Sequence, residues 1–331
     1  MKPRTVAATG LLACLAVAAG CASSHAAPGG DVLAGLDQGT TSTSPARSGT
    51  TAPPVTCGDP TASYRPQSSV PQPGQMPAGT FMRQIQDRGR LIVGVDQNTL
   101  LFGSRNPLTN QIEGFDIDML HQVAKAIFPD ADSNPNRIEY RAITSAQRIP
   151  DVRDASVDIV AETMTINCER WQQVDFTSDY YDAGQRVLVR TDSTANSIDD
   201  LGNKKVCAAA GSTSIDNIAS RPSHPVPYTV ADWTDCLVAL QQGSVDAIST
   251  DDTILYGLAA QDPYTKVVGN PFTREPYGMA ISQSHQEFVR FVNGVLDRVR
   301  ADGTWTAIWT RWLGPVLKSP APAPPKATYR D

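Results

Sequence analysis

Short apolar runs alternate with helix-length amphipathic stretches from residue 90 onward. Leu91-Ile92-Val93-Gly94-Val95 is an unbroken apolar run of strand length, the pattern of a strand covered on both faces. Gly114-Phe115-Asp116-Ile117-Asp118 opens a segment through Phe128 in which Met119, Leu120, Val123, Ala124 and Ile127 recur at helical spacing, so one face of that helix is apolar. Short runs follow at Asp158-Ile159-Val160-Ala161, Val187-Leu188-Val189, Val206-Cys207-Ala208-Ala209 and Asp246-Ala247-Ile248-Ser249, each set off by room for a helix. The alternation predicts α/β layers with a parallel sheet. Trp305, Ile308, Trp309 and Trp312 share one face of a last helix, and that spacing predicts core packing rather than a ligand cage.

The ends of the chain follow other rules. Lys2 and Arg4 precede the small, apolar stretch Thr5 to Gly20, which reads as a secretory signal peptide over residues 1–20. Ala18-Ala19-Gly20-Cys21 resembles the lipobox of bacterial lipoproteins, with Ala18 where Leu is usual. The resemblance implies a lipidated Cys21, and two acyl chains anchor a protein stably where one does not. The alternative is a secreted protein cut near Ala27, with Cys21 lost. Ser, Thr, Pro, Gly and Ala dominate from Ala22 to Gln75, too little apolar bulk to offset ordering entropy. Residues 21–75 therefore read as a lipidated Cys and disordered tether, and the Pro- and Ala-rich residues 319–331 as a disordered tail.

Composition narrows the function. With 331 residues, 40% of them apolar, about two domains are the prior. A net charge of −6 without a Lys/Arg cluster lacks the electrostatic footprint of a nucleic-acid binder. No apolar run beyond the N-terminus approaches the ~18 residues of a membrane span. Without the signal, Cys57, Cys168, Cys207 and Cys236 remain beside Cys21, and export favours paired thiols. Three pairings are open; the favoured one joins Cys207 to Cys236 and Cys57 to Cys168. No C-x-x-C occurs, so zinc and thioredoxin chemistry have no support; no metal and no cofactor is expected. Nucleophile-elbow, zinc-protease and P-loop motifs are absent as well, and His25, His121, His224 and His285 show no partner for catalysis.

Residues 158–181 read Asp-Ile-Val-Ala-Glu-Thr-Met-Thr-Ile-Asn-Cys-Glu-Arg-Trp-Gln-Gln-Val-Asp-Phe-Thr-Ser-Asp-Tyr-Tyr. This resembles the signature of the polar amino-acid binding proteins of ABC importers. Leu91 to Asp96, Gly114 to Asp118, Gly211-Ser212-Thr213, Val245 to Asp252, and Asp302-Gly303-Thr304-Trp305 with Trp312-Leu313-Gly314 fall in the family's order. The likeness covers roughly residues 80 to 315. Thr144-Ser145-Ala146-Gln147-Arg148-Ile149-Pro150 resembles the glutamate/aspartate-binding branch. The family fold is α/β, the two-lobed periplasmic-binding-protein fold (type II) with two hinge crossovers. It implies lobe 1 at 76–184 plus 276–318, lobe 2 at 185–275, and closure of the lobes around the ligand.

A free amino acid brings an α-carboxylate, an α-ammonium and a side chain, so its site must supply donors, an anion and a selector. By resemblance Arg170 forks onto the α-carboxylate, as a planar guanidinium can and an ammonium cannot. Thr165 adds its N–H and hydroxyl, and Thr213 a further N–H after Gly211; Thr163 is either a further ligand contact or a strand hydroxyl. Asp251 corresponds to the ammonium-binding carboxylate, with Asp252 as competitor and a helix cap as the plain alternative for either. Arg148 and Ser145 resemble the selectors of a side-chain carboxylate, Arg105 lies in a loop that can bring a second arginine, and Phe102 is either an apolar wall or core. Glu162 departs from the family, which has a small residue there.

Charge separates the candidate ligands. With Arg105, Arg148 and Arg170 facing Asp251 and Glu162, the site is +1 and suits glutamate or aspartate. With Arg105 turned to solvent it is balanced and suits glutamine or asparagine, and an unpaired buried charge costs on the order of 3–5 kcal/mol. The acidic ligand is the expectation. The sequence thus predicts a monomeric, lipid-anchored extracytoplasmic binding protein serving an ABC permease. Alternatives are a sensor acting on a membrane signalling partner, or a hydro-lyase using Glu162 and Asp251 as acid and base.

Overall fold

The computed structural model describes residues 55–331. The export signal, Cys21 and most of the expected tether lie outside the described residues. Two five-stranded sheets organise the body. In the first, the order is Ile138–Ala142, Leu91–Val95, Ile159–Val160, Ala280–Ile281 and Asp175–Phe176; in the second it is Val226–Val230, Lys205–Ala209, Ala247–Asp251, Gln185–Arg190 and Thr265–Val268. Strands Tyr181–Ala183 and Glu275–Tyr277 pair antiparallel and carry the chain across and back.

Neither sheet is wholly parallel, contrary to the expectation from alternation. Leu91–Val95 runs parallel to both neighbours, but Ala280–Ile281 is antiparallel to both of its own. In the second sheet Gln185–Arg190 is antiparallel to Ala247–Asp251 and to Thr265–Val268. The cause is topological. A parallel neighbour needs a crossover of a dozen or more residues, and Gln185–Arg190 enters its sheet directly from the crossing strand Tyr181–Ala183, with no helix before it.

Each sheet has its own apolar core. One core falls entirely within Val187–Leu258 and includes Ile218, Trp233, Leu237 and Leu240 from its helices. Two more pack on the first sheet: one joins helices Phe115–Ile127, Gln286–Ala301 and Thr304–Trp312 to it through Met119, Leu120, Val123, Phe288, Val292, Trp305 and Trp309, and one gathers Val152, Val160, Trp171, Phe176 and Ala280. Trp312 is only half-buried, and its indole N–H donates to Asp118 Oδ2 at 2.7 Å. Disulfides join Cys57 to Cys168 and Cys207 to Cys236. The first spans 111 residues, a loop whose closure in the unfolded chain is worth roughly 4–5 kcal/mol in the chain-entropy account.

The reading of both ends as disordered is corrected within the described residues. Ala62–Ser63 pairs in parallel with Thr328–Tyr329. Ser63 Oγ donates to the Phe176 carbonyl at 2.6 Å, and Asn293 Nδ2 donates to Ser63 Oγ at 2.8 Å. Tyr329 donates its hydroxyl to the Asp297 carboxylate, and the Arg330 guanidinium lies 3.9 Å over the Trp171 ring. Composition misses this because the anchors are few. Tyr64, Tyr329 and Arg330 stack and bond on the body, and the proline-rich segments beside them have less freedom to lose.

Candidate functional site

The two sheets close on a small cavity of about 10 Å³, lined by Arg148, Thr163, Thr165 and Arg170 on one side and by Ser212, Thr213, Ser214, Trp233, Thr250, Asp251 and Ile254 on the other. Asn167 caps the short helix Cys168–Trp171, its side chain accepting from the Arg170 N–H at 2.8 Å, which sets the start of the turn that carries the guanidinium. Arg170 Nη1 donates to the Thr165 carbonyl at 2.7 Å and Nη2 to the Gly211 carbonyl at 3.2 Å. Burial, with the Arg148 charge nearby, pushes Arg170 down to about 9.

Arg148 is committed differently. Its Nε donates to the Ser145 carbonyl at 2.9 Å, Nη1 to the Glu162 carbonyl at 3.0 Å and Nη2 to the Gly211 carbonyl at 3.1 Å. Its guanidinium also lies 2.9 Å from Glu162 Oε2, with only 3% and 1% of the two side chains exposed. Ser145 Oγ donates to Glu162 Oε1 at 3.0 Å. Burial pushes Glu162 up to about 8, against the opposing pull of Arg148. The unusual residue at 162 is therefore the counter-charge of Arg148, and neither Ser145 nor Glu162 lines the cavity. That removes Glu162 from any acid/base pair with Asp251.

Threonines on both sides are held by one carboxylate outside the sequence expectations. Glu275, on a crossing strand, accepts from Thr165 Oγ1 at 2.7 Å, Thr213 Oγ1 at 3.0 Å, Asn217 Nδ2 at 3.0 Å and Thr273 Oγ1 at 2.7 Å. The Thr165 and Thr213 hydroxyls are thereby used, and what these residues can offer a ligand is their peptide N–H groups, which donate to no acceptor among the described residues. Thr163 holds a left-handed backbone, φ 44°, its N–H donating to Asp116 Oδ2 at 2.9 Å while Tyr180 donates to Asp116 Oδ1 at 2.7 Å. Burial raises Asp116 to about 7.

Asp251 ends strand Ala247–Asp251 and precedes helix Asp252–Gln261. Tyr277 donates to its Oδ2 at 2.7 Å, whereas Oδ1 is buried without a partner. Burial, reinforced by the Glu275 charge, drives its pKa well above the ordinary carboxylate range, so the group alone favours its neutral acid form and a cation at Oδ1 would draw it to the carboxylate. Asp252 is turned away, facing the Gly184 N–H at 3.5 Å. The two sides meet closely at Gly211, whose φ is +77° and where a Cβ would come 2.7 Å from Ala146 Cα. Only glycine fits both the turn and the contact.

Two expected site residues are elsewhere. Arg105 donates to Gln97 Oε1 at 3.1 Å and to the Asn110 carbonyl at 2.9 Å on the exposed surface and does not line the cavity. Phe102 is fully buried against Phe115, Tyr181 and Tyr277, a core position and not a cavity wall. Among the described residues no cluster of His, Cys, Asp and Glu is arranged to hold a metal ion.

Residues 91–315 match the bacterial extracellular solute-binding proteins, family 3. The chain belongs to this family. It is 36% identical over 230 residues to the ABC transporter glutamine-binding protein GlnH of Bacillus subtilis, covering 69% of this chain and 83% of that one. It is 34% identical over 242 residues to the glutamate-binding protein GluB of Corynebacterium glutamicum, covering 71% and 81%. The solved structure of an ancestral arginine-binding protein bound to glutamine superposes with a TM-score of 0.63 and 30% identity, over 69% of this chain and 99% of that one. In this family 3 protein the two sheets are the lobes of a type II periplasmic-binding-protein fold, and Tyr181–Ala183 with Glu275–Tyr277 are its hinge.

Proposed function

We propose that the protein captures a free amino acid between its lobes on the outer side of the cell membrane, held there through a lipid on Cys21, and delivers it to an ABC permease. Glutamine is the favoured ligand, ahead of asparagine and the acidic amino acids. The observation that carries the reading is the opposed pair Arg170 and Asp251 on one cavity, with Asp251 Oδ1 unpartnered. Such a pair matches the carboxylate and ammonium of a zwitterion. The choice of glutamine over glutamate rests on charge. Arg105 lies on the outer surface, so the cavity lacks the third arginine that would compensate a side-chain carboxylate, and burying that carboxylate unpaired is costly. Relatives named for glutamine and for glutamate support an amino-acid ligand of this size and polarity. Those relatives are binding proteins, which favours capture without chemical change.

The test is calorimetric titration of the purified protein with the amino acids singly. Glutamine should bind most tightly and be recovered unmodified. Tighter binding of glutamate than of glutamine would overturn the charge argument, and binding of no amino acid would overturn the function. Globomycin treatment of producing cells, which blocks lipoprotein signal cleavage, should leave a longer, unprocessed chain if Cys21 is lipidated.

A further inference from the structure

Trp233, which lines the cavity, carries a second unpartnered polar atom, its buried indole Nε1–H. Trp233 opens the helix Trp233–Gln241, which is fixed at its start by reciprocal bonds between Asp232 and Asp235, and it is 3% exposed. The lobe 1 strand Asn98–Thr99 lies against this helix, and its Thr99 hydroxyl is already donated to Asp96 Oδ2. Among the described residues no protein acceptor bonds the indole N–H. A buried donor left unsatisfied is costly, and phenylalanine would make the same apolar wall without that cost.

Resting on the proposed function, the geometry points to Trp233 as the residue that selects the ligand's side chain, its Nε1–H donating to a side-chain oxygen. The other ends of the amino acid are provided for by Arg170 and Asp251, and Arg148 is spent on Ser145, Glu162 and Gly211. An indole N–H donates and accepts nothing. It suits the carbonyl of a glutamine or asparagine amide, tolerates a carboxylate, and rejects lysine, ornithine and arginine, whose side chains end in donors only. Because it is uncharged, it brings no compensation for a carboxylate and so discriminates by hydrogen bond rather than by charge.

The test compares L-glutamine with L-norvaline, which keeps the chain length but lacks the oxygen, by calorimetry on the full chain in detergent. Trp233→Phe should weaken glutamine on the order of 10- to 100-fold and leave norvaline within about threefold. Equal losses for both, or no loss for glutamine, would overturn the selector and leave the amino-acid reading standing. A wild-type protein that binds no amino acid would overturn that reading and the selector with it. An independent readout needs no variant: with ¹⁵N-labelled tryptophan, one buried indole N–H resonance should move downfield on adding glutamine and much less on adding norvaline. Indole resonances unmoved by saturating glutamine would contradict the inference.

Discussion

The two walls of the cleft are built on opposite principles. On the lobe 1 side Arg148 and Arg170 are tied by five hydrogen bonds to backbone carbonyls, and Arg148 also carries its own counter-charge in Glu162. On the lobe 2 side Asp251 Oδ1 and Trp233 Nε1 are buried with nothing to bond. Apart from Glu162 Oε2, the first wall is satisfied by the protein itself, in part across the cleft at Gly211, and the second leaves two atoms for a ligand. The difference teaches where affinity and selectivity reside. Preorganised cations cost little to keep in place and grip the invariant head of an amino acid, while the orphaned atoms reward only a ligand that presents an ammonium and a side-chain oxygen. Two carbonyl-directed bonds from lobe 1 end on Gly211 of lobe 2, so the satisfied wall also fastens the closed form.

The comparison breaks most easily at Arg170. Arg170→Ala should lower affinity for every amino acid on the order of 10³-fold, and Arg170→Lys nearly as far, because a point charge cannot replace a fork. Calorimetry with glutamine, glutamate and asparagine checks this, and a loss confined to one of them would reassign Arg170 from head to side chain. Next in size is Gly211→Ala. Its Cβ would press on the Ala146 backbone from a residue at φ +77°, so closure should weaken and affinity fall about 10-fold. Small-angle scattering should then show less compaction on adding glutamine than the wild type shows.

Glu162→Gln sharpens the same comparison. Above about pH 8, where Glu162 is ionised, it removes the counter-charge of Arg148, so there the ratio of glutamate to glutamine affinity should rise about 10-fold; an unchanged ratio would mean that Arg148 does not communicate with the ligand's charge. The smallest effect is on stability. Folding raises Asp116 to about 7 and Glu162 to about 8, so the native state holds protons that the unfolded state gives up. Stability from these groups is complete below about pH 4 and lost as pH rises towards 8. The melting temperature should therefore fall between pH 5 and pH 8 in this part of its profile, and Glu162→Gln should flatten the fall.

Much of the framework could be read from the chain because it rests on local pattern. The runs at Leu91–Val95, Lys205–Ala209 and Ala247–Asp251 are strands, and Trp305, Ile308 and Trp309 pack as their spacing implies. What escaped depends on direction or on distant partners. Arg105 sits in a loop whose aim is set by Gln97 and Asn110. Trp233 has no motif, although an aromatic directly after the helix cap Asp232 was a signal available to find it. Glu275 gathers four donors from segments scattered between residues 165 and 273, a convergence that only the folded hinge reveals. The tail at 319–331 failed a rule that counts apolar bulk, because its hold depends on strand pairing and on a guanidinium over an indole.

A crystal structure of the protein grown with glutamine tests the central claim most directly. The account predicts the α-carboxylate within hydrogen-bond distance of the Arg170 guanidinium and of the Thr165 and Thr213 N–H groups, with the ammonium on Asp251 Oδ1. Glutamine bound in the opposite sense, or seated outside the Arg170–Asp251 cavity, would contradict it.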